Sequence, residues 1–304
     1  MASLRVLRRR IRSTQNTKQI MRAMQMVSGS KLKRAQQRLL QARETMGFLD
    51  GLLARVLSAT PSLTHPLCAA SSASSDALAL FTSDAGLCGA YNTNLIHLAE
   101  SHLRRDRAQS PQMIYVGKKG ARHFTTRGYP ALEAFLDLAG RPNLETIDAI
   151  GRALMARFLS GDVSAVTLLY ARFVSAMTSR PVAEPWLPIQ LRGDRGQGTG
   201  DTSRDVVSHV PRPTSHAAAL EYIFEPSVQR VFDDLLPRWA LAKFQLVTLE
   251  AFTSEHSARM LAMKNATDNA GQLIDEMTLQ RNKIRQATIT KELSEIVGTV
   301  EALK

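Results

Sequence analysis

The sequence is poor in the features that would make it a redox scaffold, a metal protein, a membrane span or a familiar enzyme. Two cysteines occur in 304 residues. Cys68 and Cys88 are too few for a disulfide scaffold or a four-cysteine zinc site, and their spacing is not CxxC. A reducing compartment is the default. No stretch approaches ~18 uninterrupted apolar residues, which excludes a helix that spans a bilayer. No proline precedes Pro61, and none follows Pro237. No GxxxxGK[ST] phosphate loop, HExxH metal pair or GxSxG nucleophile turn is present. The acidic residues are scattered, so no catalytic carboxylate pair stands out. Acidic residues are missing altogether from the first 43 positions, which hold twelve Lys or Arg.

That last absence carries the most information. The chain has 39 basic and 27 acidic residues, a net charge of +12. Removing the first twelve basic residues leaves 27 of each sign, so the whole surplus sits at one end. Such an end faces something anionic or stands solvated. An Arg-rich, acid-free start also suits a mitochondrial presequence, but its periodic pattern continues far past any cleavage site. No apolar stretch follows the arginines, so a secretory signal is excluded. The 44% hydrophobic and 22% charged residues exclude a disordered chain, and the length suits about two domain-sized units.

Both ends repeat apolar residues at alternating spacings of three and four. The first series is Leu4, Leu7, Ile11, Thr14, Lys18, Met21, Gln25, Ser28, Leu32, Ala35, Leu39, Ala42, Met46, Leu49, Leu53 and Val56. Twelve of these sixteen are apolar, the a/d seam of a coiled-coil helix roughly 80 Å long. The exceptions fall between Thr14 and Ser28. There Ile20, Met24, Met26 and Val27 place apolar character on a broader face, which predicts a change of partner or packing mode. A second series runs from Leu235 to Ile284, slips by one position, and resumes at Ile289, Leu293, Ile296, Val300 and Leu303. It predicts a helix of ~100 Å from Arg238, with Pro237 at its start or at a kink. The two seams bury each other most simply as an antiparallel pair, and everything between is an insertion.

The insertion reads as α/β. Asp76–Thr82, Gln112–Val116 and Ala165–Phe173 are apolar strand-like runs, and Pro185–Leu191 is extended. Helical patterns cover about Asn92–Arg105, a segment after Val116, and Leu144–Leu159, with a turn at Gly128-Tyr129-Pro130. Such alternation predicts a partly parallel sheet with helices on its faces. The expected divisions are 1–58 for the N-terminal helix, 76–191 for the insertion, 192–213 for a flexible loop and 226–304 for the C-terminal helix. Thr60–Ser75 also looks loose. Gly117-Lys118-Lys119-Gly120 is too short to wrap phosphates. Gly86-Leu87-Cys88-Gly89 lacks the third glycine of a dinucleotide fingerprint and reads as a turn with a buried thiol. His256, on the seam, reads as a packed or hydrogen-bonded histidine. Residue type alone favours ordinary core for Met21, Met24 and Met26 over a contact surface.

Four blocks point to one family. Ser13–Arg34 (STQNTKQIMRAMQMVSGSKLKR) and Ser254–Leu293 (SEHSARMLAMKNATDNAGQLIDEMTLQRNKIRQATITKEL) strongly resemble the gamma subunit of the rotary F-type ATP synthase. Thr82–Asn94 (TSDAGLCGAYNTN) and Tyr222–Arg238 (YIFEPSVQRVFDDLLPR) resemble its inserted-domain motif and the entry to its long C-terminal helix. The resemblance implies an α/β insertion, a Rossmann-like sheet with flanking helices, on a long antiparallel coiled coil of the N- and C-terminal helices. It implies a non-catalytic rotor shaft with no cofactor or metal. The implied partners are the alpha and beta subunits of the catalytic hexamer, the epsilon subunit and the membrane c-ring. Lys18, Met24, Lys31, Arg34, Arg259, Arg285, Gln286, Thr290 and Glu292 match positions facing the hexamer. Tyr222, Phe224 and Glu225 match the base near the c-ring and epsilon. Asp84, Gly86, Cys88, Gly89 and Asn92 match the inserted motif, where they serve the fold.

The sequence departs from the family at Ser28-Gly29, usually two alanines, and at Ala85, usually basic. Residues 192–213 contain no cysteine, so the thiol control of the chloroplast proteins is not implied. The family pattern starts at the N-terminus and leaves no room for a transit peptide, which favours a peripheral protein on the cytoplasmic face of a bacterial plasma membrane. The competing readings are a basic coiled-coil nucleic-acid-binding protein and a small α/β enzyme with helical extensions. The basic stretch lacks the aromatic interleaving of the former.

Overall fold

The computed structural model describes residues 4–60, 62–69, 73, 75–105, 111–138, 143–190 and 224–302. The expected loop 192–213 and Tyr222 lie outside them. The chain begins with α1 (Leu4–Ala59) and ends with α5 (Val228–Ala302). At 1.5 Å per residue they are about 85 and 110 Å long. Between them come β1 (Ala77–Phe81), α2 (Tyr91–Arg105), β2 (Gln112–Val116), α3 (Lys118–Thr125), β3 (Ala131–Phe135), α4 (Leu144–Leu159), β4 (Val166–Phe173) and β5 (Ser179–Leu187).

The first seam is the buried stripe of α1. Its eight buried residues, Leu7, Ile11, Ser28, Leu32, Leu39, Met46, Leu53 and Val56, all belong to the series. Between Ile11 and Ser28 the packing thins, with no buried residue of α1 in that stretch, but the seam does not move: its polar residues stay at least half-buried, and Ser28 is 3% exposed. Ile20, Met26 and Val27 form a separate apolar face that points to solvent. The partner throughout is α5. Trp239 Nε1 donates to Asp50 at 2.8 Å, Arg43 meets Glu250, and Gly29 lies against Met260. Rising numbers on α5 meet falling numbers on α1, so the helices run in opposite directions. Gly271 continues this register beneath Lys18, whose Nζ would stand 2.9 Å from a Cβ on that glycine. A side chain at 271 would make the flexible lysine shift its ammonium.

The start of α5 lies close to the expected division at 226 and ten residues before Arg238. It begins at Val228, and Pro237 lies inside it. Proline normally breaks a helix by removing one hydrogen bond and crowding the preceding turn. Here Phe232, Leu236 and Ala240 are fully buried on the same side, and that packing carries the helix through.

The sheet order is β3-β2-β1-β4-β5, with β5 alone antiparallel. β1 is buried along its whole length, as expected of a parallel strand covered on both faces. Leu78, Leu80, Met113 and Tyr115 pack under α2 and α3, and Ala77, Ala79, Phe81, Ile114 and Val116 pack against α4 and α5. β3 and the first half of β5 escape sequence reading. Ala131–Phe135 is ALEAF, a helix-favouring composition that its pairing with β2 overrides. β5 contains Pro181 and Pro185, which sheets tolerate on edge strands.

Candidate functional site

In an open α/β sheet the ligand crevice lies at the carboxyl ends of the strands where the order switches direction. Here that point is between β1 and β4. The loop after β1, Thr82–Ala90, sits there and is held by its own polar groups. Asn92 Oδ1 accepts from Ser83 N at 3.0 Å, and Asn92 Nδ2 donates to Cys88 Sγ at 3.1 Å. Ser83 Oγ donates to the Ala85 carbonyl at 2.6 Å. Asp84 Oδ1 accepts from Lys118 N at 3.1 Å and Asp137 N at 3.3 Å, so this carboxylate faces the first turn of α3. Cys88 is a buried thiol, and Gly86 and Gly89 shape the turn, Gly89 with φ +58°. Leu87, also left-handed with φ 64°, is exposed.

The crevice is filled by α5. Ser254 Oγ donates to the Ala171 carbonyl at 2.9 Å, and Ser257 Oγ to that of Ala176 at 2.5 Å. Tyr91 Oη donates to the Ala251 carbonyl at 3.1 Å. Arg259 reaches the carbonyls of Ala85 at 3.2 Å and Gly86 at 3.4 Å and pairs with Glu255 at 2.8 Å. The Arg259 and Glu255 side chains are only 11% and 7% exposed. Burial pushes the Glu255 carboxyl up, and Arg259 pulls it part of the way back. The arrangement fastens a helix where a cofactor would otherwise sit.

The other expected site residues are spread along the two helices. Lys18 turns inward over Gly271. Met24 and Lys31 are half-buried, and Arg34 is exposed, with a 3.4 Å contact to Ser30 Oγ. Arg259 faces the insertion rather than outward. Arg285, Gln286, Thr290 and Glu292 are exposed on the part of α5 that has outrun the start of α1. Phe224 packs against the large core cluster, and Glu225 is exposed. From Arg285 to Thr299 every described side chain is exposed, including Ile289, Leu293, Ile296 and Val297. The resumed seam therefore has no partner within the described residues.

Sequence reading missed the charged groups that fasten the insertion. Arg43 pairs with Glu250, and Glu184 on β5 takes Lys243 at 2.5 Å, Arg172 at 3.1 Å and the Tyr170 hydroxyl at 2.6 Å. Burial alone would raise the Glu184 carboxyl; Lys243, Tyr170 and Arg172 outweigh it and hold the group below its ordinary range. The available signal was the segment Phe244–Ser257, in which Glu250, Glu255 and His256 stand among apolar and small residues. A helix buried on all sides permits only paired charges. Among the described residues, no helix is long and apolar enough to cross a membrane.

Comparison with known proteins agrees with this architecture. A family model described as ATP synthase matches residues 3–303. The ATP synthase gamma chain of Moorella thermoacetica is 39% identical over 304 residues, covering 100% of both chains. That of Polaromonas naphthalenivorans is 36% identical over 305 residues, again covering 100% of both. Among solved structures, a chain of the Euglena gracilis mitochondrial ATP synthase (OSCP/F1/c-ring, rotational state 3) shares the fold with a TM-score of 0.62. It is 20% identical, with 99% of this chain and 94% of that one covered. Full-length identity at this level, on a fold of two opposed terminal helices around a five-stranded insertion, places the chain in the ATP synthase gamma chain family.

Proposed function

We propose that this chain is the central rotor shaft of an F-type ATP synthase. It carries rotation between the membrane c-ring and the catalytic alpha/beta hexamer and has no catalytic centre of its own. The observation that carries this reading is the shape of α5. One continuous helix is fastened at its base to the insertion, paired with α1 through its middle, and single and exposed at its tip. Such a rod presents a different surface in each direction. A ring of subunits around it feels different contacts at each angle, and each angle stabilises a different conformation of each site.

The seams support a coiled coil as the packing mode of the two helices. The chain divides functionally into 1–58, 76–191 and 226–304, joined through 192–213. The exposed Arg34 and the half-buried Met24 and Lys31 face acidic segments of beta, as an acid-free helix suits. Arg285, Gln286, Thr290 and Glu292 meet the hexamer around the tip. Phe224 and Glu225 lie at the base toward epsilon and the c-ring. The protein works as a peripheral subunit on the cytoplasmic face of the membrane.

The test is reconstitution with the alpha and beta subunits of the same source, with a bead fixed to an exposed insertion site such as Met177. Continuous one-way rotation on addition of ATP is expected. A bead that stays still while the hexamer hydrolyses ATP would overturn the shaft reading.

A further inference from the structure

Arg43 is the last of the twelve basic residues and stands one position past the seam residue Ala42. Its guanidinium is drawn onto two other elements. Nη2 donates to Glu250 Oε1 at 2.7 Å and to the Phe173 carbonyl at 2.9 Å. Glu250 lies on α5 with its side chain 8% exposed, and Phe173 ends β4. Both shaft helices and the sheet thus converge on one side chain. A second cluster continues the tie. Arg172, next to Phe173, donates to Glu184 on β5, and Glu184 also receives Lys243 from α5 and the Tyr170 hydroxyl from β4. Arg172 and Phe173 are consecutive residues at the end of β4, so the two clusters stand side by side on that strand.

At this level α5 also holds the end of β4 by hydroxyl bonds, Ser254 Oγ to the Ala171 carbonyl and Ser257 Oγ to that of Ala176, whereas the rest of the grip of α1 is apolar. Leu32, Leu39, Phe173 and Leu249 form a small cluster joined by Ala42, Leu246 and Met260. Apolar burial resists separation but has no direction, so it permits small rotations and slips. A charge-assisted hydrogen bond from a planar guanidinium has a direction, and two of them from one nitrogen define an orientation. A shaft under torque requires the second kind of contact.

We propose that Arg43 is a positioning residue for torque transmission: by bonding Glu250 and the end of β4 together, it locks the inserted sheet to both shaft helices in one angular setting. This rests on the rotor reading above, and it names the residue that brings α1 into the directional tie between α5 and the sheet. The bland competitor is that Arg43 merely neutralises a buried carboxylate. Removing Arg43 alone would not separate the two, because an unpaired Glu250 is itself damaging.

The decisive variant is Arg43→Met with Glu250→Gln, which removes the ion pair without leaving a buried charge. Two measurements apply. In the assembled complex in membrane vesicles, the ratio of ions pumped to ATP hydrolysed is expected to fall several-fold with unchanged subunit content. In the purified full chain, with Cys68→Ala and Cys88→Ala, nitroxides at positions 37 and 177 report the distance between α1 and the β4–β5 hairpin. Its distribution is expected to broaden in the double variant. A wild-type pumping ratio or a wild-type distribution width would overturn the proposal and leave Arg43 a counter-ion. A wild-type complex that fails to couple at all would sink the rotor reading alone, while the distance widths would still decide the role of Arg43.

Discussion

Gly117 shows how tightly single residues constrain this chain. Its φ is +105°, and a Cβ there would fall 2.0 Å from the Thr82 carbonyl oxygen. Neither the strained backbone nor a backbone atom at that distance can yield cheaply. Gly117→Ala is expected to cost about 3 kcal/mol or more, read as a lowered denaturation midpoint of the purified chain. Glu184 gives a pH signature. Its carboxyl is held below its ordinary value of 4.5 in the folded chain, so the unfolded chain binds the proton more readily. The resulting stability is complete above pH 4.5 and is lost as pH falls through the lower folded value. Glu184→Gln should lower stability at neutral pH and flatten the acid limb of the stability curve. An acid limb as steep as that of the wild type would show that Glu184 is not the group responsible.

At the scale of elements, α1 is one helix with two jobs. Its seam meets α5 from end to end, including the polar positions Thr14, Lys18 and Gln25. The exposed side near Ile20, Met26 and Val27 has no owner among the described residues. Met24 sits half-buried at the border of these surfaces. A thioether slides past several neighbours with little preference, whereas an ammonium there would pair with an acidic partner for ~1–3 kcal/mol. Met24→Lys should therefore deepen one rotational position and lower the ratio of ion pumping to ATP turnover, with assembly intact. An unchanged ratio would make Met24 ordinary core. The tip of α5 behaves differently. Because residues 285–299 are exposed throughout, ending the chain after Ile284 should change the denaturation free energy of the remainder by less than about 0.5 kcal/mol. A larger loss would mean that the tip packs on the rest of the chain.

For the whole molecule, the tip and the α1 flank leave apolar surface bare. Leu279, Ile289, Leu293, Ile296 and Val297 are each roughly half exposed or more. Contiguous exposed apolar surface of this kind marks an interaction site and promotes self-association. The isolated full chain is expected to sediment as concentration-dependent oligomers at low salt. The assembled complex should not. A single monomeric species at every concentration would show that this surface is not adhesive.

The sequence by itself determined the long terminal helices, because a three-four repeat over dozens of residues has only one regular structure that satisfies it. Every position of the α1 series is at least half-buried. It also determined the central strands β1, β2 and β4, whose apolar runs need cover on both faces. The family followed from four ordered blocks. Tertiary structure decided what local patterns leave open. ALEAF becomes a strand only because β2 offers an unpaired edge, and α5 passes through Pro237 only because Phe232, Leu236 and Ala240 have a core to enter. Arg259 looks like any exposed helix arginine in sequence, yet it closes the switch-point crevice with Glu255 against the Ala85 and Gly86 carbonyls. Arg43 and Glu250, separated by 207 positions, meet only when the two ends of the chain lie side by side. Local propensity acts over a few residues, so a bond across that distance exists only in the folded molecule.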